Sequence, residues 1–350
     1  MTLGTLFSGC ECVGVGFIAA GFTIVWHCEW DKRPSAVLRY RFPGVENFGD
    51  VATFPSDKVT LPDVVWMSPP CQDLSQIGDK KGLDGEKSKY FFDAVRAVRG
   101  LILRGWNGIL LMEQVPAILN ASGGQPAPMR RILLELLELG PVDLAWRVFN
   151  ARHCGVPQSR RRVFIALDFG GFRTHKILCD ARPGQLHTAK GRISQVDDTG
   201  AITHPAITTQ HPRYTGNPDS IAPAICARTP ERYARPDTIV PCLMTKAGTS
   251  ATIRGYWPVA ACINTANPYR MSGRKTFPEQ TEAGPRWRTP LEHERLMGLP
   301  DDWTRWGIDE KGRTIEMSDA ARYHMTGNGV VAPIAEHIAL NIMEIGFLGI

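Results

Sequence analysis

Over the first 167 residues, apolar positions fall into short unbroken runs separated by longer stretches in which they recur every three or four residues. The short runs read as buried strands and the periodic stretches as amphipathic helices. Their alternation is the pattern of a parallel α/β sheet. The predicted strands are Thr5–Phe7, Thr23–His27, Val64–Met67, Ile109–Met112, Ala145–Phe149 and Val163–Leu167, with helices over Lys32–Tyr40, Tyr90–Leu103 and Met129–Leu139 between them. Sheets of this class bind ligands outside the carboxyl ends of their strands, so chemistry is expected just after each strand.

From Asp168 the pattern changes. Residues 168–285 carry 12 of the 26 prolines, a density that prevents regular central strands and long helices. Pro205-Ala-Ile, Pro223-Ala-Ile and Pro241-Cys-Leu recur at a spacing of 18, and Pro258-Val-Ala follows 17 later; a short turn-and-strand unit would account for it. This predicts a second, smaller, mostly β and irregular domain over 168–285. Residues 1–167 with 306–350 then form the first domain, 286–305 connect the two, and a helix over Ala332–Ile345 closes back onto the first.

Composition narrows the class. At 43 % hydrophobic and 21 % charged over 350 residues, the chain is globular, neither disordered nor fibrous. No apolar run approaches the length of a membrane helix, and MTLGTLFSGC lacks the basic region of a secretory signal. The expected location is cytoplasmic. Nine cysteines, an odd and scattered number, favour reduced thiols. Only Cys10 and Cys12 are close, with no second pair at zinc-ligand spacing, so no metal is expected. The net charge of +5 lies wholly within 168–285, which holds 14 Lys/Arg against 9 Asp/Glu. An excess confined to one segment suggests a face toward a polyanion.

Four clusters carry candidate chemistry. Leu6-Phe7-Ser8-Gly9, followed by Gly14 and Gly16, reads as a strand entering a glycine-bearing turn and then a helix, where backbone N–H groups are free for a ligand. Glu29, 20 residues past Gly9 at the end of the next strand, can accept from ribose hydroxyls, and Asp50 follows Gly49 in a turn at the same edge. Alone, these glycines fit tight packing equally well. Ser68-Pro69-Pro70-Cys71-Gln72 follows Val64–Met67; two prolines stiffen the turn and hold the thiol at the sheet edge, a poor place for a core filler and a good one for a nucleophile. Glu113 ends Ile109–Met112, where a carboxyl can stay protonated and donate to a ring nitrogen, although a solvated or capping role fits as well. Arg160 and Arg162, in Gln158-Ser159-Arg160-Arg161-Arg162, share one face of an extended segment and suit phosphate or carbonyl oxygens, although a basic surface patch fits as well.

Taken in order, these motifs resemble those of the cytosine-5 DNA methyltransferases, over most of the chain outside 168–285. Leu6-Phe7-Ser8-Gly9 matches that family's first cofactor motif, Glu29 its ribose-binding acid and Gly49-Asp50-Val51 its adenine-binding turn. Pro69-Pro70-Cys71-Gln72 with Ser75 matches the nucleophile loop, Glu113-Gln114-Val115 the acid motif, and Gln158-x-Arg160-x-Arg162 the double-arginine motif. Arg288 through Asp301 and Gly327-Asn328-Gly329-Val330 resemble its last two motifs.

The resemblance implies a Rossmann-like, S-adenosylmethionine-dependent methyltransferase domain with 168–285 as target-recognition domain. It implies S-adenosylmethionine as cofactor, duplex DNA as partner and a flipped-out cytosine as substrate. Catalysis would fall to Cys71, Glu113, Arg160 and Arg162; cofactor binding to Phe7, Ser8, Gly9, Glu29, Trp30, Asp50, Val51, Pro70, Asn328 and Val330; DNA contact to Gln72, Ser75 and Gln158. The chain reads as a monomer, with a cognate restriction endonuclease as a further candidate partner. Two other readings are a non-catalytic DNA-binding relative, against which all four catalytic residues stand, and an RNA cytosine methyltransferase, against which the large middle segment stands. The sequence departs from the family at Glu11 and Cys12, where two glycines are common, at Met67-Ser68, at Leu74 and at Gln114, where asparagine is usual.

Overall fold

A computed structural model describes residues 1–70, 89–120, 127–179, 279–281, 284–286 and 288–347. Cys71, Gln72, Leu74, Ser75, the proline-spaced repeat and most of 168–285 lie outside the described residues.

The body is a seven-stranded sheet between two helical layers, ordered β3-β2-β1-β4-β5-β7-β6. Its strands are β1 (Thr2–Leu6), β2 (Thr23–Cys28), β3 (Glu46–Asn47), β4 (Val64–Met67), β5 (Ile109–Gln114), β6 (Asp143–Asn150) and β7 (Arg161–Asp168). The central strands are apolar on both faces because both are covered. In β4, Val64 and Trp66 enter one core while Val65 and Met67 enter the other; in β5, Ile109 and Leu111 part from Leu110 and Met112 in the same way. One core is closed by α1 (Cys12–Ala19) and α8 (Ala332–Phe347), the other by α3 (Lys89–Leu103) and α4 (Pro128–Leu137). Gly16 lets α1 approach α8 closely: a Cβ there would overlap the backbone of Ala332 and Glu336.

The expected all-parallel sheet is corrected at one strand. β7 runs antiparallel to both β5 and β6. The connection from Asn150 to Arg161, which includes a 3-10 turn at Ala151–Cys154, is shorter than the dozen or so residues a parallel crossover needs, and β6 and β7 pair antiparallel. The inversion brings the beginning of β7 to the edge where β5 ends.

The other helices are started by local chemistry. Asp31 caps α2 (Lys32–Arg41) by accepting from Arg33 N, and Arg39 and Arg41 occupy its negative end. The short α5 (Thr174–Ile177) follows β7, and α6 (Pro290–Leu296) opens with Pro290 and a reciprocal cap between Thr289 and Glu292. Ser318 caps α7 (Asp319–Asn328). β8 (Glu279–Thr281) and β9 (Gly284–Arg286) form a hairpin across the expected boundary at residue 285, and β10 (Trp306–Ile308) with β11 (Thr314–Glu316) forms a second hairpin against α2.

The body extends past the boundaries expected from sequence. Ile177 and Leu178 sit in the same core as α1 and α8, as do Leu296, Met297 and Leu299 from the segment expected to be a connector. A buried ion pair between Arg322 of α7 and Glu294 of α6, at 3.1 Å, joins the two helices.

Candidate active site

β1 lies between β2 and β4 with its following helix on one face, so a crevice opens beyond the carboxyl ends of these strands, the usual ligand site of such sheets. The turn leaving β1 fills its floor. Phe7, Gly9 and Glu11 all have positive φ, at 59°, 57° and 60°. A Cβ on Gly9 would meet nothing within 4 Å, so the space over the turn is open to a ligand. Ser8 Oγ is turned inward, accepting from Cys28 N and donating to Thr5 O, each at 2.9 Å.

Glu29 leaves β2 at the side of this turn, and one of its carboxylate oxygens accepts from Gly9 N at 2.9 Å. The other accepts from Asp31 N at 2.8 Å. Burial pushes the Glu29 carboxyl above its usual range, although the backbone donors oppose that. Asn47, which sequence gave no reason to single out, holds Glu29 from β3: its Oδ1 accepts from Glu29 N at 2.9 Å and its Nδ2 donates to Glu29 O at 3.0 Å. Trp30, the residue after Glu29, is 68 % exposed. Asp50 caps a single turn by accepting from Ala52 N, with Val51 buried behind it.

Asn328 and Val330 arrive from the end of α7. Asn328 Nδ2 lies 3.3 Å from His324 Nε2, whereas Val330 is buried in the core, leaving only its backbone for a ligand. Cys10 and Cys12, the closest cysteine pair, have sulfurs 3.5 Å apart beneath the turn; that contact and burial push the Cys10 thiol well above its ordinary range. Such a thiol packs and does not react.

A second group gathers at the end of β5. Glu113 is 9 % exposed, and its Oε1 lies 2.8 Å from Arg162 Nε. Burial raises the Glu113 carboxyl, with Arg162 and Arg160 pulling the other way. The next residue, Gln114, donates from Nε2 to Pro69 O at 2.6 Å and so holds the Pro69-Pro70 turn against β5; its buried Oε1 has no partner. Pro70 is exposed at the edge of the crevice. The longer amide therefore still reaches the turn that leads to Cys71.

Arg160 and Arg162 differ in what they do. Arg160 is 2 % exposed and donates from Nη2 to Gly327 O at 2.9 Å and Gly329 O at 2.8 Å, locking the end of α7 to the sheet. Gln158 is corrected from a DNA-contacting residue to an internal one. It has no exposed surface, and its Nε2 donates to Leu296 O at 2.9 Å, because α6 covers the β6–β7 hairpin. Trp26 is a core residue, 1 % exposed and bonded to Thr60 O.

Two sites thus share one edge: a turn clasped by a buried carboxylate, and a carboxyl–guanidinium pair two strands away. The family model for C-5 cytosine-specific DNA methylase matches residues 1–344. The chain belongs to that family. Among curated members, the Type II methyltransferase M2.BsuMI of Bacillus subtilis is 27 % identical, covering 98 % of this chain and 76 % of that protein. M.NgoPII of Neisseria gonorrhoeae, also a Type II methyltransferase, is 27 % identical over 98 % of this chain and 96 % of its own length. The fold of this methylase is shared with the Dnmt2 methyltransferase of S. pombe, at a TM-score of 0.60 and 14 % identity over 99 % of this chain and all of the other. It is likewise shared with the Entamoeba histolytica methyltransferase EhMeth, at a TM-score of 0.58 and 13 % identity, covering 100 % of this chain and 98 % of that one. As a methylase of this family it is a methyltransferase enzyme with DNA as its substrate class. Among the described residues no helix is long and apolar enough to cross a membrane.

Proposed function

We propose that this enzyme transfers a methyl group from S-adenosylmethionine to carbon 5 of a cytosine flipped out of duplex DNA, through a transient bond to Cys71. The observation that carries the reading is the Glu113–Arg162 pair standing at the same sheet edge as the Gly9–Glu29 clasp.

The residues fit a nucleoside-bearing donor. Glu29 is oriented by two backbone N–H groups, the space over Gly9 is open, and the exposed indole of Trp30 follows Glu29 in the chain. Phe7, Ser8, Gly9, Glu29, Trp30, Asp50, Val51, Pro70, Asn328 and the Val330 backbone would hold the donor, which supplies an electrophilic sulfonium methyl. Carbon 5 of cytosine is too weakly nucleophilic to take that methyl unaided. The Cys71 thiolate adds its electron pair to carbon 6, and the ring pair moves onto carbon 5. Glu113 supplies or shares a proton at ring nitrogen 3 as negative charge develops there, and burial keeps its carboxyl able to do so. Arg162 holds Glu113 and reaches the position-2 oxygen, while Arg160 fixes the backbone around them.

Carbon 5 then takes the methyl, a base removes its proton, and the electron pair expels the thiolate. The reacting carbons are inaccessible within a duplex, so the base must leave the stack at a cost of roughly a few kcal/mol. Basic residues of 168–285 would meet the phosphates and read the site, with Gln72 and Ser75 beside the flipped base. A monomer working in the cytoplasm, alongside a restriction endonuclease, is the setting this reading favours.

The test is covalent trapping. Duplex DNA carrying 5-fluorocytosine at the target, incubated with donor, should yield a denaturation-resistant adduct in the parent protein and none in Cys71→Ser. Absence of the adduct at a cytosine that the enzyme methylates would reject the mechanism, and methyl transfer to transfer RNA but not to duplex DNA would reject the substrate.

A further inference from the structure

Residue 11 stands where the family commonly has glycine, and the backbone shows why glycine suits it. Glu11 caps α1 at φ 60° and ψ 42°, the left-handed region that side chains disfavour. Yet Glu11 is fully buried and its carboxylate is saturated: Oε1 accepts from Gly14 N at 3.1 Å, and Oε2 accepts from Thr5 Oγ1 at 2.9 Å and lies 2.7 Å from His27 Nδ1. Thr5 Oγ1 is also 2.8 Å from Ser8 Oγ, so one chain of polar contacts runs from β2 through Glu11 and Thr5 into the turn. His27 is fully buried too, covered by the Phe42 ring at 5.1 Å, and its Nε2 has no partner. Its Nδ1 also lies 3.5 Å from Thr5 Oγ1, and Glu11, at 2.7 Å, is its nearest polar partner.

We propose that Glu11 and His27 are paired positioning residues for the methyl-donor turn, the buried carboxylate pinning by its side-chain bonds a left-handed residue that a glycine would reach but leave free to move. The pair rests on the reading of Phe7, Ser8 and Gly9 as donor-binding. It touches neither donor nor cytosine. It acts on donor affinity by fixing the left-handed residue that sets where Ser8 and Gly9 stand, and it reaches neither Glu113 nor DNA. His27 acts only through Glu11, so the two must be coupled.

Isothermal titration with S-adenosylhomocysteine tests this, on Glu11→Gly, His27→Leu, the double variant and Glu29→Ala. Each of the first two should weaken binding at least about tenfold, and His27→Leu should add less than about twofold in the Glu11→Gly background. At saturating donor, kcat and the KM for duplex DNA should stay within about twofold of the parent's, so that the KM for donor alone moves. Should His27→Leu fail to fold, His27→Gln, whose amide can still donate to Glu11, should bind within about threefold of the parent. Multiplicative losses in the double variant, parent-like binding by Glu11→Gly, or a parallel fall in kcat would overturn the proposal. Unchanged affinity in Glu29→Ala would instead reject the donor-site reading on which it rests.

Discussion

Arg162 Nε lies 2.8 Å from Glu113 Oε1 although the two residues are 49 positions apart, near the start of β7 and near the end of β5. The register explains the meeting. Glu113 pairs with Phe164 across antiparallel β5 and β7, so Arg162 stands one pleat further toward the open edge on the same face. Both side chains are mostly buried, and removing one partner of such a pair leaves a charge uncompensated, at a typical cost of about 3–5 kcal/mol. Electrostatics at this pair is therefore a matter of stability as well as chemistry.

Glu113→Gln should lower single-turnover methyl transfer by about 10²–10⁴-fold, the usual worth of a positioned proton donor. The amide keeps the shape and some hydrogen bonding but has no proton to give. Donor binding should be unaffected, since Glu113 is not in the Gly9–Glu29 clasp. A rate within about threefold of the parent's would remove Glu113 from the chemistry.

The pH profile supplies an independent check. Burial holds the Glu113 carboxyl above its usual range, so the protonated fraction, and with it the rate, falls as pH rises through that raised value. In Glu113→Gln this limb should vanish, leaving whatever limb belongs to the thiol, which runs in the opposite sense because the thiolate is the nucleophile. Rapid-quench rates between pH 5 and 9 for the two proteins would show it; an unchanged profile in the variant assigns the limb elsewhere.

Cys71→Ser should abolish turnover while S-adenosylhomocysteine still binds, because the hydroxyl is a far weaker nucleophile and residue 71 lies outside the donor turn. Residual methyl incorporation above about one part in a thousand, the scale of losing a whole nucleophile, would argue that another residue attacks the ring.

Much of the fold was legible because apolar periodicity reports burial, and burial is what the helices and central strands share. Val64–Met67 is a strand with the bounds its apolar run implies, and Lys32–Tyr40 differs from the observed helix by one residue. Strand direction was not legible. An apolar run such as Val163–Leu167 reads the same forward or backward, and only the length of the β6–β7 connection decides that it runs against its neighbours. Glu29 was readable from its distance to Gly9, but Asn47 was not, since a polar residue in a two-residue strand carries no local mark of what it holds. Gln158 had the polarity of a DNA contact and the burial of a core residue; its partner, Leu296, lies 138 positions away.

That placement of Gln158 makes a prediction opposite to the one its motif invites. Gln158→Ala removes a buried donor and leaves Leu296 O unsatisfied, which should cost about 1–3 kcal/mol of stability, read as a shift in the urea midpoint at constant slope. The salt dependence of duplex binding should be unchanged, because the side chain reaches no phosphate. A smaller salt slope with parent-like stability would return Gln158 to the DNA surface.

His293 should make the fold sensitive to mild acid. On α6 its ring packs edge-on against Tyr323 with centroids 4.7 Å apart, and its buried Nδ1 has no partner. Burial lowers its pKa to about 4, with Arg288 acting in the same direction and Glu292 opposing. The unfolded chain takes up a proton near pH 6.5 and the folded chain does not until near pH 4. The stabilising contribution is thus complete above pH 6.5 and is lost progressively as pH falls toward 4, by up to about 3 kcal/mol. His293→Phe keeps an aromatic ring against Tyr323 and removes the titration. Urea unfolding at pH 7.5 and pH 5 should therefore show a smaller acid loss in the variant than in the parent, and equal losses would place the acid-sensitive group elsewhere.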